Sequence, residues 1–357
     1  MSPNSGRKEN SQKSHAIRSI QSEDGDIIDC IHIYKQPSLD HPSLRNHKIQ
    51  PQERARNHLL KEIGGSPETL TTQLWQRSGS CPEGTIPIRR IDKNNGTKGD
   101  LGENYGRKKP MAILLTAGYA YLGAKGDIKV CSPQVELDDE YSTSRVSLSS
   151  GPQYEYEVIE AGWAVNPSVY GDRQTRLFVY WTVDGSKKTG CFDLTCPGFI
   201  QTSNKIALGT AIYPISNPTG LPYQITVYIH KDPNTNNWWV QYGETINIGY
   251  WPSDLFDLLK YHAESVEWGG EVYSSRVGTH PHTATGMGSG KFSDYITESS
   301  GYIKRMRILG NNLELKFPEW IYTYSDEYDC YDVFYLGDYV EDPEFYYGGP
   351  GRNPKCP

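Results

Sequence analysis

The 357 residues carry a net charge of -7, and the mean hydropathy is -0.64. That balance offers no basic face for nucleic acid or anionic membrane, and the longest apolar run, Met111 to Ala124, is too short and too interrupted to cross a bilayer. Burial falls instead to 26 Tyr and 8 Trp, while 35 Gly and 23 Pro punctuate the chain at short intervals, the texture of an all-β protein.

In chain order, residues 1–25 are rich in Ser, Asn, Gln, Lys and Glu and read as disordered, with no apolar stretch of signal-peptide type. Asp26–Tyr34 reads as a strand. Pro51–Glu62 reads as a helix, with Pro51 in its first turn and Gly64-Gly65 ending it. Residues 93–109 are polar and aperiodic, a linker that carries the glycosylation sequon Asn95-Gly96-Thr97 and the basic run Arg107-Lys108-Lys109. After Pro110 the texture becomes uniform: short runs of Val, Ile, Tyr, Trp and Thr alternate with turn clusters. Strands are expected at Ala112–Tyr121, Lys125–Cys131, Tyr154–Val165, Leu177–Thr182, Ala207–Pro214, Tyr223–Lys231, Trp238–Gly243, Thr245–Tyr250, Glu267–Ser274, Tyr302–Leu309 and Cys330–Tyr335. So many strands fit a two-sheet sandwich better than one small sheet. One helix is expected, Trp251–Ala263, with Ser253 as its N-cap.

None of the seven cysteines forms a C-x-x-C pair, so zinc-ribbon and thioredoxin chemistry are unsupported. Cys191 and Cys196 can close a tight loop, and Cys330 with Cys356 can staple the C-terminus; six paired thiols fit an oxidising compartment, scattered buried thiols a cytosolic one. There is no H-E-x-x-H, Walker loop or dinucleotide fingerprint. Gly286-Met287-Gly288-Ser289-Gly290 is one place out of register for a nucleophile elbow and reads as a turn. His280-Pro281-His282 lacks a third ligand and reads as an exposed loop, so neither metal nor cofactor is expected.

Carboxylates remain. Glu160 and Glu271 each lie in an apolar, aromatic strand beside a glycine and a tryptophan, in Glu160-Ala161-Gly162-Trp163 and Trp268-Gly269-Gly270-Glu271. A charge in such surroundings is costly unless paired or functional. Strand alternation puts Glu160, Gly162 and Ala164 on one face and Trp163 on the other. On residue types alone, two unrelated hydrogen-bonded glutamates remain the favoured reading.

The stretch Leu74-Trp75-Gln76-Arg77-Ser78-Gly79-Ser80-Cys81-Pro82-Glu83-Gly84-Thr85-Ile86-Pro87 resembles the activation-peptide signature of the plant neprosin family, as does Asp26-Ile27-Ile28-Asp29-Cys30. Ile159-Glu160-Ala161-Gly162-Trp163, Cys196-Pro197-Gly198-Phe199, Gly249-Tyr250-Trp251-Pro252, Glu267-Trp268-Gly269-Gly270-Glu271 and Tyr346-Tyr347-Gly348-Gly349-Pro350 continue the likeness in the family's order. The resemblance implies an antiparallel β-sandwich catalytic domain at 110–357, preceded by a small α+β activation-peptide domain at 26–92. It implies a secreted glutamic endopeptidase, made as a zymogen, that cleaves after proline at acid pH with Glu160 and Glu271 as the catalytic pair. It also implies disulfides Cys30–Cys81, Cys191–Cys196 and Cys330–Cys356, with Cys131 left free. The expected partners are a proline-containing peptide or protein and the chain's own N-terminal segment as inhibitor. Trp163, Trp181 and Trp239 are candidates to stack on the substrate proline, with core packing as the competing role. Two adjacent carboxyls ionise unequally, so one can activate water while the other donates a proton. An inactive cell-wall or glycan-binding sandwich is the alternative from another class, and a two-carboxylate glycosidase a third.

Overall fold

Alternation of β-branched and aromatic residues with small polar ones builds two antiparallel sheets. The computed structural model describes residues 15–50, 72–91, 109–152, 155–218, 220–295 and 299–357. One sheet has seven strands, in the edge-to-edge order Cys191–Phe192, Arg176–Thr182, Glu157–Val165, Tyr141–Ser150, Ala263–Tyr273, Met111–Tyr121 and Tyr322–Ser325. The other has nine and is built around Gly123–Lys129, which lies between Gln224–Lys231 and Gly301–Leu309. The inner faces meet over a continuous core that includes Ile128, Val146, Ile159, Val227 and Ile303. Indole N–H groups tie the layers: Trp163 donates to the Lys129 carbonyl at 2.8 Å and Trp268 to the Lys125 carbonyl at 2.9 Å. A β-sandwich is therefore the architecture.

The N-terminal segment forms its own three-stranded sheet from Ala16–Gln21, Ile27–His32 and Thr85–Arg89, with a four-residue helix at Trp75–Ser78. It seals one edge of the sandwich: Ile31, Leu44, Ile86 and Ile88 belong to the main core cluster. Polar contacts fix the seat. Gln201 N–H donates to the Gln36 side-chain oxygen at 2.9 Å, and Gln36 Nε2 donates back to the Gln201 carbonyl at 3.1 Å. Arg176, fully buried, meets Asp26 at 2.6 Å. Thr72–Gln73 pairs with Ile212–Tyr213 of the larger domain. The disulfides are Cys30–Cys81, Cys191–Cys196 and Cys330–Cys356, and Cys131 is free and buried.

Several expectations from the sequence need correction. The disorder expected for residues 1–25 is overturned at Ala16–Gln21, which pairs with Ile27–His32 and buries Ile20 against Cys30, Trp75 and Cys81; residues 1–14 lie outside the described residues. Only Ile212–Tyr213 of the expected Ala207–Pro214 strand is extended, with Gly209 in a left-handed turn. Trp251–Ala263 is not a helix; it holds a single 3-10 turn at Ser253–Leu255. Tertiary groups satisfy its backbone instead. The Glu157 carboxylate accepts the amides of Asp257, Leu258 and Leu259 at 2.7–3.0 Å, and Lys231 Nζ and the Trp238 indole both donate to the Leu259 carbonyl. The strand Tyr141–Ser150, which is not among the strands expected from sequence, proves central to its sheet. The expected Pro51–Glu62 helix, most of the 93–109 linker and the Asn95 sequon lie outside the described residues.

His282 also departs from the exposed-loop reading, since it is buried. Its Nε2 meets Glu327 at 2.8 Å and its Nδ1 meets the Thr283 carbonyl at 2.9 Å, so both nitrogens face acceptors. The nearby sulfurs of Cys330 and Cys356 are bonded to each other and are not metal ligands. Burial lowers the His282 pKa, but the Glu327 carboxylate and the Thr283 carbonyl outweigh it and raise it above the ordinary histidine value. A raised histidine adds stability below its unfolded pKa and loses it as pH rises through the folded one. His282→Gln is therefore expected to lower unfolding stability by about 1–3 kcal/mol at pH about 5. Urea titrations should show that deficit narrowing above neutral pH.

Candidate active site

The outer face of the seven-stranded sheet carries a cleft of about 330 Å³, lined by Lys109, Tyr141, Arg145, Glu160, Glu267 and Glu271 among others. Strand register explains how these meet. Glu160 lies opposite Ser147, which lies opposite Glu267; two residues along, Gly162, Arg145 and Gly269 are aligned; two further, Ala164, Thr143 and Glu271 are aligned. Directly opposed residues share a face. Glu160 and Glu271 therefore sit diagonally across Tyr141–Ser150, with Arg145 between them.

Arg145 is the centre of the arrangement. Its Nε donates to Glu160 Oε1 at 2.8 Å and its Nη2 to Glu271 Oε2 at 3.2 Å, with Glu267 at 3.7 Å. Gly162 and Gly269 flank it, and a Cβ at either would overlap the main chain of the adjoining strand. Ser147 donates a second hydrogen bond to Glu160 Oε1 at 3.1 Å, and the Tyr141 hydroxyl donates to Glu271 Oε1 at 2.7 Å. Lys109, at the start of the described domain, lies in the cleft with its ammonium 3.8 Å from Glu271 Oε1.

These contacts set the charges. Burial pushes the Glu271 carboxyl up, but Lys109, Arg145 and the Tyr141 hydroxyl together hold it below the ordinary glutamate value. Burial raises Glu267, and with Glu160 and Glu271 nearby it stays above that value despite Arg145. Burial and the Glu271 charge keep the Tyr141 hydroxyl protonated. The cleft thus holds three carboxyl groups against two cations, Arg145 and Lys109.

The two glutamates singled out from sequence are brought together on one face of one cleft. The tryptophans are not part of it. Trp163 and Trp239 are completely buried and Trp181 nearly so, all within the main core cluster. Aromatic lining comes instead from Tyr141, Tyr156, Tyr180 and Phe192. Cys131 is no nucleophile, because burial raises its thiol to about 12. Sequence reasoning missed Arg145, Glu267 and Tyr141. Glu267 stood within a matched motif, and the alternation Arg145-Val146-Ser147-Leu148 was the available signal for Arg145.

Comparison with known proteins places the chain. The neprosin family profile matches residues 138–350, and the neprosin activation peptide profile matches residues 19–119. Among solved structures, scytalido-glutamic peptidase with a transition-state analogue inhibitor is 9% identical over 67% of this chain and 98% of that chain, with a TM-score of 0.39. SCP-B, an eqolisin-family peptidase in complex with the tripeptide Ala-Ile-His, is 10% identical over 68% and 98%, with a TM-score of 0.34. Likenesses so remote carry no argument about residues. The family profiles show membership: the chain belongs to the neprosin family and carries that family's activation peptide.

Proposed function

We propose that this protein is the zymogen of a secreted glutamic endopeptidase that hydrolyses peptide bonds on the C-terminal side of proline at acid pH, with Glu160 and Glu271 as its catalytic pair. The observation that carries the proposal is one guanidinium, that of Arg145, hydrogen-bonded to both carboxylates inside a peptide-sized cleft. Glu271, held ionised, is the base that takes a proton from water as the water oxygen attacks the scissile carbonyl carbon. Glu160 is the acid that delivers a proton to the departing nitrogen, so the C–N bond breaks to an acid and an amine. Residues 26–92 act as activation segment and 93–109 as the linker cut during maturation, near Arg107–Pro110. Three disulfides suit an extracellular setting.

Arg145 alters the reason for an acid optimum. Two bare carboxylates would repel, but with a guanidinium between them both tolerate charge. Loss of Lys109 on maturation leaves three carboxyl groups facing one cation. Removing a cation raises carboxyl pKa values, so the matured cleft takes up a proton on acidification and gains its acid.

The direct test is incubation of the acid-treated protein with a proline-containing peptide. Cleavage after proline at pH about 4 and little at pH about 8 is expected; an intact peptide throughout the acid range would end the proposal and favour a binding role. Lys109 gives a second test. In the uncut chain, Lys109→Met frees the Glu271 carboxylate. Such a protein is expected to cleave a small fluorogenic peptide within the first minutes at acid pH, before gels show linker cleavage. Equal latency in both chains would show that Lys109 does not hold the site closed.

A further inference from the structure

The row of side chains on the outer sheet face continues past the carboxylates. Register aligns Tyr180, Glu160, Ser147, Glu267, Leu115 and Tyr322 across six strands, and Arg145, Gly269, Ile113 and Tyr324 in the neighbouring row. Opposed residues share a face, so Tyr322 and Tyr324 lie on the face of the cleft, at the far edge of its sheet. They are 61% and 47% exposed, and Trp320, two residues earlier, is 60% exposed, whereas Ile321 between them packs against the core. Large aromatic groups exposed at alternate positions beside a cleft form the kind of apolar patch that marks an interaction site.

The surroundings are acidic. Residues 311–345 contain ten Asp or Glu and one Lys. Glu319, Asp342 and Glu344 are neutralised by Lys316, Arg307 and Lys304. The remainder, Glu314, Asp326 and Asp329 among them, leaves a net negative rim.

We infer that this strip is a second binding site for the substrate chain, taking an extended proline-rich stretch that bears Lys or Arg, several residues from the bond to be cut. The inference rests on the peptidase reading of the cleft. Four inter-strand steps separate the strand of Glu160 from that of Tyr322, roughly 19 Å at about 4.8 Å per step. That is the length of about six residues of polyproline-type chain. Such a chain is pre-extended, has no internal hydrogen bonds to break, and docks on aromatic strips at low entropic cost. Lysine or arginine side chains along it can lie over the exposed rings and face the acidic rim. A continuous path from cleft to strip makes the substrate's own flanking sequence the occupant.

The test uses Trp320→Thr/Tyr322→Thr, which leaves in place the Tyr324 hydroxyl bond to Asp326 and the Asp326 bond to the Met111 amide. Acid-matured wild type and variant are compared on a short proline peptide and on peptides carrying a proline- and lysine-rich extension on either side. Expected is a KM about ten-fold lower for one extended peptide in wild type, an advantage lost in the variant while the short peptide is cleaved equally by both. An advantage that persists in the variant, or equal loss on both peptides, would overturn the inference. Fluorescence titration of the full-length chain with the extension alone, which has no scissile site, reads the strip without catalysis. Binding lost in the variant supports the strip even if no peptide is cleaved and the peptidase reading fails; absent binding in wild type overturns the strip alone. Sedimentation completes the comparison: self-association of wild type that the variant abolishes would assign the strip to a second copy of this chain and overturn the inference.

Discussion

Glu271→Gln and Glu160→Gln are each expected to lower kcat on a proline-containing peptide by about a thousand-fold or more, with the protein still folded. Glutamine keeps the shape and removes the titrating group. At Glu160 a single oxygen, Oε1, accepts from both Arg145 and Ser147, and an amide oxygen can keep both bonds. At Glu271 the two oxygens are divided between Tyr141 and Arg145, so an amide keeps one acceptor and sets an N–H against the other donor. Glu271→Gln should therefore cost more stability, about 1–2 kcal/mol by urea denaturation. Residues that act as one unit are not additive, so the double variant should be little slower than either single one. Glu267→Gln is the control. It lies in the same cleft but only 3.7 Å from Arg145, and a loss under about ten-fold is expected there. Should Glu267→Gln abolish cleavage while Glu160→Gln does not, the acid belongs to Glu267.

Arg145→Met is expected to be the most destabilising substitution in the cleft. It leaves three carboxyl groups facing one another with only Lys109 as counter-charge, and removing one member of a buried ion pair costs about 3–5 kcal/mol. The pH dependence distinguishes this from simple loss of packing. In the wild type Glu271 lies below its ordinary value. It therefore contributes stability above the unfolded carboxyl range, a contribution lost as pH falls through its folded pKa. In Arg145→Met that contribution is missing and the carboxylates repel, so the deficit should be greatest near neutral pH and shrink toward pH about 4 as they take up protons. A deficit independent of pH would mean that Arg145 acts through packing alone. Arg145→Lys keeps the charge but cannot reach two carboxylates with a planar fork, and should recover stability more than kcat.

Much of this was readable in the chain, for identifiable reasons. A strand such as Gln224–Lys231 announces itself by the β-branched residues Ile225, Val227 and Ile229 at alternate positions. Glu160 and Glu271 stood out because a carboxylate among tryptophan, glycine and valine demands a partner. The partner itself was hidden. Tyr141–Ser150 is mostly serine and threonine, residues that favour turns in isolation, and only Val146 and Leu148 betray its inner face. Its strand state comes from pairing on both sides, with Glu157–Val165 and Ala263–Tyr273. The Trp251–Ala263 error has the same origin: the helical spacing of its leucines is real, but Glu157, distant in sequence, supplies the acceptor that a helix would have provided. The tryptophans misled because stacking aromatics and core aromatics look alike until their faces are known.

The disulfide pattern has a consequence for maturation. Cys30–Cys81 closes a loop within the N-terminal segment, and the other two bridges lie within the larger domain, so no covalent link besides the linker joins the parts. On the maturation reading, a cut near Arg107–Pro110 turns an intramolecular contact into a bimolecular complex, held by the Asp26–Arg176 pair, the Gln36–Gln201 bonds and the apolar seat of Ile31, Leu44, Ile86 and Ile88. Effective concentration, supplied free by the linker, is then lost. Departure of the severed segment becomes a matter of dilution and dissociation constant. On the same reading, the larger domain is expected to stay bound to its own former N-terminus in a concentrated store and to be released from it on dilution.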